Sequence, residues 1–183
     1  MEDREKPVVL SGNESHESVS SPVQQPIVNN LSKNGAVYAP LFGEVISLAN
    51  VPAEEIASGA MGDGIAILPA KGEVYAPCDG IVATVFTTGH AVGINSDNGA
   101  EILIHVGIDT VKLSGEGFEP LVKEGDTVKA GQLLMKFDMA LLKSKLISPI
   151  TSVLITNSEN FEQVEIAVGG GNVAPGNTIL YYK

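Results

Sequence analysis

An all-β fold is the architecture this sequence predicts: an antiparallel β-sandwich or distorted barrel, with an internal duplicated motif and one or two short helices. Three observations carry that reading. Short β-branched runs follow one another from residue 37 onward, and Gly, Pro, Asn and Asp fall between them. An eight-residue pattern also occurs twice.

Residues 1–36 contain no aromatic residue and are rich in Ser, Asn, Glu, Gln and Pro. The stretch from Ser11 to Pro22 cannot bury enough apolar area to offset the entropy of ordering it. A flexible polar tail or linker is expected over 1–36, with His16 an incidental tail residue, and one folded domain over 37–183. Within that domain the strand candidates are Val45–Ile46, Gly64–Leu68, Ile81–Phe86, Ala91–Ile94, Ile102–Ile108, Gln132–Phe137, Ser152–Ile155, Val164–Ala167 and Thr178–Tyr182. Only Met139–Leu146 and Ala53–Ser58 read as short helices. The spacing of Met139, Leu142 and Leu146 predicts that all three share one helical face.

The duplicated pattern is Tyr38-Ala-Pro40-Leu-Phe-Gly43-Glu-Val45, which recurs thirty-seven residues later as Tyr75-Ala-Pro77-Cys-Asp-Gly80-Ile-Val82. Proline gives no ladder hydrogen bond and belongs at strand starts or edges, and the glycine that follows suits a turn or bulge. Ser148-Pro149 ahead of Val153 is a fainter third copy. Two full copies are too few for a solenoid and fit a duplication folded into one sandwich.

Composition narrows the function. The chain is 44% hydrophobic over 183 residues, enough for a real core, and no apolar run is long enough to cross a bilayer. No secretory signal is evident, and Cys78 is the only cysteine, so neither an internal disulfide nor a thiolate zinc site is expected. A net charge of −11 argues against a nucleic-acid binder, which needs a basic footprint. The acidity serves solubility, or attraction to a basic patch on a partner.

The chemistry concentrates in Gly99-Ala-Glu-Ile-Leu-Ile-His105-Val-Gly107-Ile-Asp109-Thr-Val111, with His90 fifteen positions upstream in Thr88-Gly-His90. A histidine in an apolar strand is ordinarily a buried residue satisfied by backbone groups. Alternation points elsewhere: Ile102, Ile104, Val106 and Ile108 form a core face, whereas Leu103, His105 and Gly107 share the other. A neutral imidazole is a good nucleophile near pH 7. Two rings on neighbouring strands can divide the work on one phosphoryl group, one carrying it and the other holding its oxygens.

The segment Gly99–Val111 resembles the phosphorylation-site signature of glucose-type IIA domains of the bacterial phosphoenolpyruvate-dependent sugar phosphotransferase system. Every specified position of that signature is filled. Similarity extends through Met61–Ile67, Tyr75–Pro77, Gly115–Phe118 and Glu124–Gly131, so it covers roughly 37–183. The resemblance implies a phosphotransferase component in which His105 accepts a phosphoryl group from the phosphohistidine of the phosphocarrier HPr and passes it to a cysteine of a IIB domain. It implies that His90 steadies the phosphoryl oxygens and that Thr88 orients His90. It also assigns Asp63 and Asp109 to the partner-facing rim, and a carbonyl near Gly107 to fixing the His105 ring. Phe86 is a candidate apolar contact beside the histidines, and Val106 a further one. Gly89 stands where some relatives carry a larger polar residue. The protein is expected in the cytoplasm, free or tethered to a membrane permease.

Two other readings compete. Two histidines can ligate zinc, as in a zinc peptidase of similar β architecture, and an acid could supply the third ligand, but no His-Glu-x-x-His pattern occurs. Incidental zinc bridging to a partner is more plausible than a resident metal, so no metal or other cofactor is expected. Val122–Met135 resembles the hairpin of biotinyl and lipoyl carrier domains, with Lys136 the attachment candidate. No convincing hairpin tip surrounds that lysine.

Overall fold

The computed structural model describes residues 34–183; the tail expected over 1–36, His16 included, lies outside the described residues except for its last three. Strands in chain order are β1 Gly35–Tyr38, β2 Gly43–Ile46, β3 Asp63–Pro69, β4 Glu73–Tyr75, β5 Gly80–Val85, β6 Ala91–Ser96 and β7 Glu101–His105. They continue with β8 Phe118–Pro120, β9 Thr127–Val128, β10 Leu133–Phe137, β11 Thr151–Ile155, β12 Val164–Ile166, β13 Asn172–Val173 and β14 Thr178–Tyr182. Two short helices interrupt them, α1 Glu54–Ala57 and α2 Met139–Ser144. All nine expected strands are present. The five unexpected ones, β1, β4, β8, β9 and β13, hold two to four residues, too few to show a period.

An eight-stranded antiparallel sheet runs β13-β2-β3-β11-β7-β6-β5-β9, and two three-stranded sheets, β4-β10-β8 and β1-β14-β12, accompany it. One core joins all three, with Leu41, Ile67, Ile104, Leu134 and Ile179 completely buried. Alternation places a second, smaller cluster on the opposite side of β3: Ile65 and Ile67 enter the main core, while Ala66 packs with Val51 and with Ile56 of α1.

The duplicated pattern is a structural dyad. The Tyr38 amide donates to the Pro77 carbonyl (2.8 Å) and the Tyr75 amide to the Pro40 carbonyl (2.7 Å), so each copy completes the other. Gly43 and Gly80 open β2 and β5, and a Cβ at either would lie about 2 Å from a neighbouring strand's carbonyl oxygen, 2.1 Å for Gly43 and 2.2 Å for Gly80. The registers match as well. Val173 faces Gly43 as Val128 faces Gly80, and Thr178 faces Tyr38 as Leu133 faces Tyr75. The duplication therefore extends to the hairpins β9–β10 and β13–β14.

Two expectations are corrected. Strand β7 stops at His105 rather than Ile108, because Gly107 (φ +75°) and Asp109 (φ +59°) turn the chain out of the ladder. Leu146 does not share the face of Leu142: helix α2 ends at Ser144, and Leu146 is 95% exposed at φ +56°. The Ile147 amide donates to Leu142 and the Leu146 amide to Lys143, the paired bonds of a Schellman cap in which Leu146 occupies the left-handed position. At the other end, the Asp138 carboxylate accepts from the Leu141 amide at 3.0 Å.

Candidate functional site

Strands β6 and β7 bring the two histidines together. Ala91 faces His105 in the ladder, and the Val106 amide donates to the His90 carbonyl at 2.8 Å, so the residues are diagonal neighbours at the strand ends. Their rings meet edge to face, with centroids 4.9 Å apart. Phe86 packs its ring against His90 at 5.4 Å, and Phe118 lies beyond it at 6.4 Å.

Each ring is held by one nitrogen. His105 Nδ1 lies 3.1 Å from the Gly107 carbonyl oxygen. A carbonyl can only accept, so the proton sits on Nδ1 and the lone pair on Nε2 is left free. Gly107 is required for this: at φ +75° it turns its carbonyl back, and a Cβ would fall 2.3 Å from Thr110 Cγ2 and 2.9 Å from the Ser148 carbonyl oxygen. His90 Nδ1 is 2.5 Å from Thr88 Oγ1. When that hydroxyl donates, the His90 proton resides on Nε2 and His90 becomes a hydrogen-bond donor.

Both rings are neutral at pH 7. Burial, reinforced by the neighbouring His105 ring, pushes His90 down to about 4. Burial also lowers His105, opposed by its bond to Gly107 and by the carboxylate of Glu55. The exposures differ in a useful way: His90 is only 2% exposed, whereas His105 is partly open and lines a cleft of about 240 Å³.

That cleft gathers His105, Gly107, Asp109 and Phe86, four of the residues singled out from sequence. Phe86 is 40% exposed. Asp109 stands at the rim, ion-paired to Lys112 at 3.2 Å. Asp63 is not brought to the site. It opens β3 opposite Ile155, which faces Ile102, three residues along β7 from His105, and it does not line the cleft. Val106 is also corrected: its side chain is wholly buried in the main core, so only its backbone serves the site.

Sequence reasoning missed Glu55, Met61 and Val111, which also line the cleft. Val111 is 55% exposed, an apolar side chain offered to solvent beside the histidine. Its place in the Gly99–Val111 segment was a signal. Nothing in the sequence links the short α1 to His105 across fifty residues of chain.

The competing readings find little footing. Among the described residues no group of three His, Cys, Asp or Glu side chains is arranged to hold a metal ion. Lys136 lies inside β10, flanked by Glu73 and Glu119 on both neighbouring strands, and not at a hairpin tip. Among the described residues no helix is long and apolar enough to cross a membrane.

Residues 35–161 match the family described as phosphoenolpyruvate-dependent sugar phosphotransferase system, EIIA 1. The fold is similar to the solved structure of glucose permease IIA from Mycoplasma capricolum, with a TM-score of 0.73 and 36% sequence identity, over 81% of this chain and 96% of that one. With an all-β sandwich and two histidine rings in edge-to-face contact, one of them lining a cleft, these likenesses make the chain a phosphoryl-relay component of sugar transport, and it belongs to the EIIA 1 family of the phosphoenolpyruvate-dependent sugar phosphotransferase system.

Proposed function

We propose that His105 carries the relayed phosphoryl group on Nε2 as a covalent phosphohistidine, taking it from phospho-HPr and giving it to a IIB-domain cysteine. The observation that carries this reading is the bond from His105 Nδ1 to the Gly107 carbonyl, 3.1 Å, which leaves Nε2 with a free lone pair in an open cleft. In the accepting step the Nε2 lone pair forms the new N–P bond while the donor's N–P bond breaks, its electron pair returning to the donor ring. The His105 ring keeps its Nδ1 proton and becomes positively charged. No proton has to move during the transfer, so positioning and charge stabilisation are the main demands.

His90 supplies the second part. With Nδ1 accepting from Thr88, its Nε2–H donates to a phosphoryl oxygen as charge shifts. The neutral ring suits this role, because a permanent imidazolium would hold the phosphoryl group too tightly to pass it on. Phe86 and Val111 provide apolar contact for the visiting proteins, and Asp109 and Glu55 an acidic rim that favours cationic partners. No resident metal or other cofactor enters this scheme, and its setting is the cytoplasm.

Incubation with phosphoenolpyruvate, enzyme I and HPr, followed by intact mass, tests the proposal. One acid-labile phosphate adduct is expected on the parent chain and none on His105→Ala. Stoichiometric labelling of His105→Ala would refute it.

A further inference from the structure

One buried polar atom near the histidines has no role in the relay as described. Ser152 is 1% exposed, and among the described residues its Oγ is the buried side-chain nitrogen or oxygen atom left without a hydrogen-bond partner. It sits in β11, where every residue is buried and the rest of the strand reads Thr, Val, Leu, Ile. An unpartnered hydroxyl in such a place carries an uncompensated desolvation cost, which alanine would avoid.

Its register is informative. Ser152 faces His105 directly across the β11–β7 ladder, and Ala66 faces it on the other side. Directly opposed residues point to the same face of a sheet, with Cβ atoms about 4.5–5.5 Å apart. The row across the sheet is thus Ala66, Ser152, His105, Ala91, and the serine hydroxyl is the polar group flanking the nucleophile between methyl groups. His105 Nδ1 is already committed to Gly107, so the hydroxyl has no part in selecting the tautomer.

We propose that Ser152 is a positioning residue for the phosphoryl relay, its unpartnered hydroxyl held in register beside His105 to support the ring once it carries a phosphoryl group. The inference rests on the proposed phosphohistidine at His105. Phosphorylation of Nε2 with Nδ1 still protonated makes the ring positive, and the oxygen end of a hydroxyl dipole in a water-poor site stabilises that charge. The neutral ring gives the hydroxyl nothing comparable, so the group is poorly satisfied in the resting state and useful in the loaded one. The difference acts where it affects transfer, by favouring the phosphorylated state.

The test compares Ser152→Ala and Ser152→Thr with the parent for phosphoryl exchange with HPr at equilibrium. Ser152→Ala should lower the phosphorylated fraction relative to phospho-HPr by about three- to tenfold, the worth of one modest hydrogen bond. Its melting temperature should match or exceed the parent's, since an orphaned hydroxyl has been removed. Ser152→Thr, which keeps the hydroxyl, should restore the parent equilibrium. An unchanged equilibrium in Ser152→Ala would overturn the proposal, as would a Thr variant as impaired as the Ala variant. Failure of the underlying reading looks different, because His105→Ala would then still be labelled.

Discussion

Thr88 Oγ1 stands 2.5 Å from His90 Nδ1, and this contact sets which nitrogen of His90 carries its proton. A hydroxyl that donates there turns the ring into a donor at Nε2, next to the nucleophile.

Removing the hydroxyl frees His90 to change tautomer. Thr88→Val keeps the shape of the β-branched side chain and loses only the polar contact. Phosphoryl transfer should slow by about tenfold, equivalent to about 1.4 kcal/mol, with the melting temperature nearly unchanged. Rapid-quench transfer rates measure this, and rates equal to the parent's would remove Thr88 from the relay.

His90→Gln should separate the two halves of the reaction. Glutamine retains a donor but not the ring, so acceptance from phospho-HPr should survive better than delivery to the IIB domain. Equal slowing of both steps, measured in single turnovers, would contradict this division.

Gly107→Ala should damage the fold and the site together. A Cβ there meets Thr110 Cγ2 at 2.3 Å and the Ser148 carbonyl oxygen at 2.9 Å, in a backbone conformation L residues rarely adopt. A loss of about 2–4 kcal/mol is expected in denaturant unfolding, with a sharp drop in labelling as the carbonyl that holds His105 shifts. A variant as stable as the parent would show that the loop yields easily.

Acid should unfold the protein earlier than carboxylates alone would make it. His90 is held at about 4 in the folded state, mainly by burial and then by the charge of the His105 ring, against an ordinary value of 6.5. Between those values the unfolded chain binds more protons, so stability falls as pH drops from about 6.5 towards 4, by a contribution on the order of 3 kcal/mol. His105, lowered in the same direction by burial, adds to the loss. Urea unfolding across this range should show the slope, and His90→Gln should flatten it.

Leu146→Gly should stabilise the domain by about 1 kcal/mol. A leucine at φ +56° and 95% exposed is strained in the Schellman position where glycine is at ease, and it has little packing to lose. A lower melting temperature would show that the leucine makes contacts beyond its own turn.

The sequence revealed most where chemistry and period coincide. The alternation around His105 separated the core residues Ile102, Ile104 and Val106 from the open face, but it failed at Ile108. The turn at Gly107 carries that residue out of the ladder to the second cluster and the cleft. The paired Tyr-Ala-Pro patterns announced the dyad. Short elements were illegible because two or three residues carry no period, and β9 and β13 exist through their neighbours' ladders. Asp63 and Glu55 show the other limit. Both lie on segments remote in sequence from His105, and only strand register and packing determine which acid reaches the cleft. Leu146 matched the helical spacing, yet the cap ended the helix one residue after Lys143.

The nesting of the dyad has a bearing on synthesis. The inner copy, β4, β5, β9 and β10, is complete once Phe137 has been made, whereas β1 has to wait for β14, Thr178–Tyr182, made well after it. During translation the front strand therefore stands with an open edge while the middle of the molecule can already close. Chains stalled before β14 should expose that edge to chaperones, and β14 acts as the clasp that hides it.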